Sequence, residues 1–146
     1  LDKGEKQMIV TPNFHFLGNC MEGIELYKKV FGAKILCVLK NKDANPIDYT
    51  SDSKYSEYVY HAEIMIGETR IMMSDITEKK GHIPGNSLSL VVTFDTADEV
   101  EKAFSLLKDD AVIITPMKST TYSSCFVSLI DKFGMRWELM TEQTER

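Results

Sequence analysis

Glu138 stands inside an apolar run, IDKFGMRWELM (Ile130–Met140), between Trp137 and Leu139. A carboxylate in a strand with such neighbours needs a partner, because an isolated buried charge is very costly. It can serve as a metal ligand or as the polar anchor of a ligand pocket. It can also pair with Arg136 or Arg70, or face water. A second chemical pair lies in YHAEI, where His61 and Glu63 are two residues apart and so share one face of a strand. An imidazole beside a carboxylate can move protons or ligate a divalent ion. The same pair also suits a solvated or dimer-facing sheet surface. Asn13 and His15 share a face of the first strand in the same way. His82, in KKGHIPGN, reads as a loop residue. Cys20 opens a helix, where a dipole would stabilise a thiolate. No histidine lies close to it in sequence, so burial as an apolar residue is the better reading.

The elements that position these residues follow from pattern. Ile9–Phe16 reads as a strand, and Pro12 inside it demands an edge or a bulge. Asn19 is the expected N-cap of a helix whose apolar face is Cys20, Ile24, Tyr27 and Phe31, with Gly32 as its stop. Lys34–Leu39 is a second strand, and the polar stretch 41–56 reads as a long mobile loop. Tyr58–Ile66 and Thr69–Ser74 form a hairpin on Gly67-Glu68. After a second connector (Thr77–Asn86), Ser87–Phe94 is a strand. Thr96 with Glu99 makes a capping box for a helix with apolar Val100, Ala103, Phe104 and Leu107. Ala111–Pro116, Cys125–Ile130 and Met135–Met140 complete the set. The order reads βαβββ twice, with a repeat of about 70 residues. We therefore expect an α+β protein: a tail (1–8) and one domain (9–142) built of module one (9–77) and module two (86–142). Two such modules give a curved mixed sheet, a half-barrel cup with helices outside, whose concave side is a natural ligand site.

Composition narrows the function. The 146 residues carry a formal net charge of -5 with acidic groups spread along the chain, which argues against a phosphate-backbone binder. No apolar run approaches the ~20 residues of a membrane span, and LDKGEKQ has no apolar signal core. Cys20, Cys37 and Cys125 stand far apart without CxxC spacing, which fits free thiols in a reducing cytoplasm. No phosphate-binding glycine loop and no alternating strand–helix nucleotide fold is visible.

FHFLGNCMEGIELYKKVFGAKI, YHAEIMIGETRIMMSD, SLSLVVTFDTADEVEKAFSLL and IDKFGMRWELM together resemble the PhnB-like group of the vicinal oxygen chelate superfamily. That superfamily includes glyoxalases, bleomycin-resistance proteins and extradiol dioxygenases. Members of the group often carry a demethylubiquinone methyltransferase-like label, but nothing in this sequence resembles a methyl-donor binding fold of alternating strands and helices. The resemblance implies the paired βαβββ fold, a homodimer and a bacterial cytosolic protein. Metal-dependent members of the superfamily draw four ligands (His, Glu or Gln, His, Glu) from the first, fourth, fifth and eighth strands. Here those positions fall near Pro12 or Asn13, near Met72, near Ser87, and at Glu138. Only Glu138 matches, and one carboxylate does not hold a divalent ion tightly.

The expected function is binding of a small apolar or amphipathic molecule in the cup, without a complete glyoxalase-type metal site and with no cofactor. Pocket candidates are Phe14, Phe16, Met72 and Ser74, with the polar residues His61, Glu63, Arg136 and Glu138. Tyr122 joins them, because the resemblance places a loop aromatic there. The alternative is a metal-dependent lyase, isomerase or dioxygenase with a rearranged divalent-metal site around His61 and Glu138. A third reading is a dimeric domain acting through a partner contact. Neither a nucleic acid nor a membrane is an expected partner, and the ligand is not named by the sequence.

Overall fold

The computed structural model describes residues 7–47, 52–77 and 82–142. Module one runs β1 (Asn13–Phe16), α1 (Cys20–Phe31), β2 (Lys34–Lys40), β3 (Val59–Ile66) and β4 (Thr69–Asp75). Module two repeats the order as β5 (Leu90–Phe94), α2 (Ala97–Leu107), β6 (Val112–Lys118), β7 (Phe126–Ile130) and β8 (Arg136–Thr141). Each module forms an open four-stranded sheet, β1-β4-β3-β2 and β5-β8-β7-β6. In each, the first strand pairs parallel with the last and the other ladders are antiparallel.

The register repeats as well as the order. Asn13 faces Met72 and Phe16 faces Asp75 in the first sheet. Val91 faces Glu138 and Phe94 faces Thr141 in the second. Met72 and Glu138 therefore hold equivalent places, a thioether in one module and a carboxylate in the other.

Several boundaries differ from expectation for physical reasons. The first strand begins at Asn13 rather than Ile9, because Pro12 has no amide to give to a ladder; its carbonyl accepts from Met72 N at 2.9 Å. The fifth strand begins at Leu90, leaving Ser87 and Ser89 ahead of it. The described parts of the 41–56 stretch hold two short 3₁₀ turns, Asn41–Asp43 and Ser53–Tyr55. They are tied down by Lys40 and Lys42, whose ammonium groups both reach Glu57 at 2.7 Å.

Asn19 does not cap α1 with its side chain. Asp75, at the end of β4, does so from across the sheet: its Oδ1 accepts from Gly18 N at 2.9 Å and Cys20 N at 3.0 Å, and its Oδ2 from Val59 N at 2.9 Å. A carboxylate there also meets the positive end of the helix dipole. In α2 the capping box forms, with Thr96 Oγ1 accepting from Glu99 N at 3.2 Å and donating to Glu99 Oε1 at 3.0 Å.

One apolar core serves both modules. It joins Ile24 and Tyr27 of α1 to Ala103 and Leu107 of α2, with Trp137 and Leu139 of β8. Trp137 is fully buried and meets the rings of Tyr27, Phe31 and Phe14 at 5.3, 4.8 and 5.9 Å between centroids. The core contains a charge-bearing side chain. Asp131, 3% exposed, accepts from the Tyr27 hydroxyl at 2.6 Å and from Trp137 Nε1 at 2.9 Å through Oδ2. Its Oδ1 accepts from the amides of Phe133 and Met135 at 2.9 and 3.0 Å. Four donors at one carboxylate satisfy the burial requirement that a lone charge would fail.

Candidate functional site

Glu138 is half-buried and its Oε2 accepts from the hydroxyl of Ser89 at 2.5 Å. Neither arginine considered as its partner forms a salt bridge to it among the described residues. Arg136 Nη1 donates to Asn86 O at 2.7 Å, and Arg70 Nη1 donates to Glu63 Oε1 at 3.3 Å. Ser89, not Ser87, is thus the residue of the 87–94 segment that meets Glu138. Sequence alternation places Ser87, Ser89 and Val91 on one face, so the signal was present. The choice between the two serines needed the register.

His61 and Glu63 do form a pair, with Nε2 2.8 Å from Glu63 Oε2. Hydrogen bonding from His61, and then the Arg70 charge, hold the Glu63 carboxyl below the usual carboxylate range. An ionised Glu63 only accepts, so the His61 Nε2 carries the hydrogen. Cys37 of β2 is the ladder partner of Glu63 and joins this cluster, a neighbour that spacing along one strand does not reveal. His61 and Glu63 lie in the first sheet and Glu138 in the second, each with its own partner.

A cavity of about 430 Å³ opens between β1, the segment 82–90 and the β7–β8 turn. Its walls are apolar at Phe14, Leu88, Leu90, Phe133 and Met135, and polar at Asn13, His15, His82 and Arg136. Arg136 is the notable group. Its Nε is buried without a hydrogen-bond partner among the described residues. Of the pocket candidates, Phe14 and Arg136 line this cavity. Ser74 sits beside it, with its hydroxyl 3.2 Å from His15 Nδ1. Met72 lies two residues before Ser74 in β4, opposite Asn13. Phe16 is 2% exposed and belongs to the core. Tyr122 is exposed and packs edge-on to Phe126 at 6.0 Å. Cys20 is fully buried; burial, with Asp75 nearby, pushes its thiol far up, out of reach of nucleophilic use.

At the four positions where the resemblance places the superfamily's metal ligands stand Pro12 or Asn13, Met72, Ser87 and Glu138, with Ser89 the serine that meets Glu138. They include one carboxylate, already engaged by a hydroxyl, and no imidazole. That set does not fit a divalent ion that needs several N or O ligands.

The chain is 26% identical over 137 residues to Protein YjdN of Escherichia coli (strain K12), covering 89% of this chain and 92% of YjdN. Its fold resembles that of protein PA1353 from Pseudomonas aeruginosa, with a TM-score of 0.81, 23% identity, and 94% of this chain and 99% of that chain covered. It also resembles a putative 3-demethylubiquinone-9 3-methyltransferase, PhnB protein, from Bacillus cereus, with a TM-score of 0.78, 24% identity, and 92% and 99% covered. The family model described as Glyoxalase/Bleomycin resistance protein/Dioxygenase superfamily matches residues 16–139. With the repeated βαβββ order and the repeated strand register, this match makes the chain a member of the Glyoxalase/Bleomycin resistance protein/Dioxygenase superfamily.

Proposed function

We propose that the protein binds a small amphipathic molecule with an anionic head in the 430 Å³ cavity, without a glyoxalase-type four-ligand metal site. The carrying observation is Arg136: a guanidinium on the wall of a largely apolar cavity, one nitrogen spent on Asn86 O and Nε buried with no protein partner among the described residues. Such a group suits a carboxylate, sulfonate or phosphonate oxygen. His15, His82 and Asn13 add donors around it, and Phe14, Leu88, Leu90, Phe133 and Met135 suit an apolar body. The volume falls within the ~300–1,000 Å³ common for small-molecule sites.

Titration with anilinonaphthalene sulfonate, an apolar ring system bearing one anion, tests this reading. Saturable binding to the folded protein is expected. Arg136→Gln should weaken it about tenfold, or ~1.4 kcal/mol. Leu88→Trp, at a residue 78% exposed on the cavity rim, should block it by filling space. Circular dichroism should show both variants folded. Absence of saturable binding, or binding by both variants as tight as by the parent protein, defeats the proposal.

We infer also that the protein is a cytoplasmic homodimer. The outer edge strands β2 and β6 expose Leu36 and Val112 at 52% and 62%, with Ile35 and Ile113 beside them. Apolar edge strands of this kind call for cover. The three free cysteines suit a reducing compartment. Light scattering that gives a monomer mass would refute the dimer.

A further inference from the structure

We infer that Cys37, His61 and Glu63 form a zinc-binding site on the open face of the β2–β3 ladder. The site goes beyond the cavity reading and uses none of the four strand positions used by metal-dependent members of the superfamily, although Glu63 is the ladder partner of Met72. Cys37 and Glu63 are directly opposed across the antiparallel ladder, and His61 lies two residues from Glu63 on the same face. One donor atom from each, a thiol sulfur, an imidazole nitrogen and a carboxylate oxygen, lies within 4.8 Å of the other two.

A tetrahedral zinc ion with bonds of about 2.0–2.3 Å needs its donors roughly 3.3–3.8 Å apart. The His61–Glu63 pair, at 2.8 Å, must open slightly, and the Cys37 sulfur must close by about an ångström at most. Side-chain torsions suffice for both. Cys37 is exposed and His61 and Glu63 are partly exposed, so no core atom has to shift.

The donor chemistry selects the ion. A thiolate with an imidazole and a carboxylate suits a borderline ion such as Zn²⁺, and discriminates against Mg²⁺ and Ca²⁺, which prefer all-oxygen sets. Arg70 holds Glu63 Oε1 and leaves Oε2, the oxygen nearest His61, for the ion. Zinc takes the place of the hydrogen between His61 Nε2 and Glu63 Oε2; that proton passes by way of solvent to His61 Nδ1, so the imidazole stays neutral, and Cys37 releases its thiol proton to water on binding. One thiolate and one carboxylate then balance the charge of the ion. Three protein ligands leave a fourth position facing solvent, filled by a water molecule.

Cobalt titration of the full chain tests the site, with Co²⁺ as the spectroscopic probe for Zn²⁺. The expected result is one equivalent of Co²⁺ showing a thiolate-to-metal charge-transfer band that Zn²⁺ abolishes. Zn²⁺ should also protect Cys37 from alkylation, since it is the exposed thiol of the three. Cys37→Ser should remove the band. Cys37→Ser and His61→Ala should each weaken zinc binding by more than the roughly 10–100-fold that loss of a supporting hydrogen bond costs a metal site. His15→Ala should leave it unchanged. Cys37 is exposed, so its substitution leaves the fold intact. Failure of one equivalent of Co²⁺ to bind, persistence of the band in Cys37→Ser, or zinc affinity indifferent to both variants overturns the proposal. Anilinonaphthalene sulfonate binding to the cavity should be the same in Cys37→Ser as in the parent protein, so the two readings fail separately.

Discussion

The Tyr27 hydroxyl donates to Asp131 Oδ2 at 2.6 Å, joining the helix of one module to the strand turn of the other across 104 residues of sequence. Trp137 Nε1 donates to the same oxygen at 2.9 Å. The two modules are thus held by a buried polar lock as well as by apolar contact. Burial and the adjacent Asp131 raise the Tyr27 hydroxyl well above its ordinary range, so it stays a donor. Asp131→Ala orphans two buried side-chain donors and should cost about 2–6 kcal/mol, at ~1–3 kcal/mol for each unsatisfied group. Tyr27→Phe removes one bond to a charged acceptor and should cost roughly 1.5–3 kcal/mol. Urea unfolding measures both. A loss below about 0.5 kcal/mol for Asp131→Ala, the scale of an ordinary surface change, would refute the lock.

Helix α1 should respond to Asp75 and not to Asn19. Asp75 takes the amides of Gly18, Cys20 and Val59, whereas Asn19 makes no side-chain capping bond. Asp75→Ala should destabilise by about 2 kcal/mol, the upper range for a lost cap. Asn19→Ala should change stability by less than about 0.5 kcal/mol. Thermal melts of the two variants check the order, and a reversed order would show that the local residue is the true cap.

Gly23 lies inside α1, where alanine ordinarily gains about 1 kcal/mol over glycine. Here the sign should reverse. A Cβ at Gly23 would stand 2.7 Å from the Phe16 ring, which is buried. Phe16 in turn packs on the Phe133 ring at 5.5 Å. Because the Phe16 ring is buried against Phe133, Gly23→Ala should cost roughly 1–3 kcal/mol by overpacking. A higher melting temperature for the variant would show that Phe16 can yield.

The sequence carried the repeat because each module repeats local signals: a period-3.6 face at Ile24 and Tyr27, a glycine stop at Gly32, and a capping box at Thr96 and Glu99. It carried the His61–Glu63 pair for the same reason, since a separation of two residues fixes a shared face. It did not carry Asp75 as a cap, Ser89 as the partner of Glu138, or Cys37 beside Glu63. Each depends on which strand lies next to which, and that is set by the whole sheet. Asp131 shows the limit most plainly. In DKFG it reads as a turn residue, and it is one, with Gly134 N donating to its carbonyl at 2.9 Å. Its second role follows from Tyr27 and Trp137, which spacing along the chain does not bring near. Glu138 is the charge in an apolar strand, yet Asp131 is the more deeply buried carboxylate.

Glu57 should titrate far below its neighbours. Hydrogen bonds from Lys40 and Lys42, reinforced by their charges, bring its carboxyl down to about 2 from an ordinary 4.5. A carboxylate depressed by folding adds stability above its unfolded value and loses it as pH falls through the folded one, so its contribution should fade between pH 4.5 and about 2. Lys42 is shifted the other way, upward, chiefly by its hydrogen bond to Glu57. The pair therefore favours the folded state throughout the neutral range. All three side chains are solvent-facing, at 37%, 48% and 62% for Lys40, Lys42 and Glu57, so salt should weaken the effect. Carbon-13 chemical shifts of the Glu57 carboxyl against pH give the midpoint directly. Replacing both lysines with alanine should return it toward 4.5, and adding salt should move it part of the way. An ordinary midpoint in the parent protein would mean that the two lysines do not hold the 3₁₀ segments against β3 in solution.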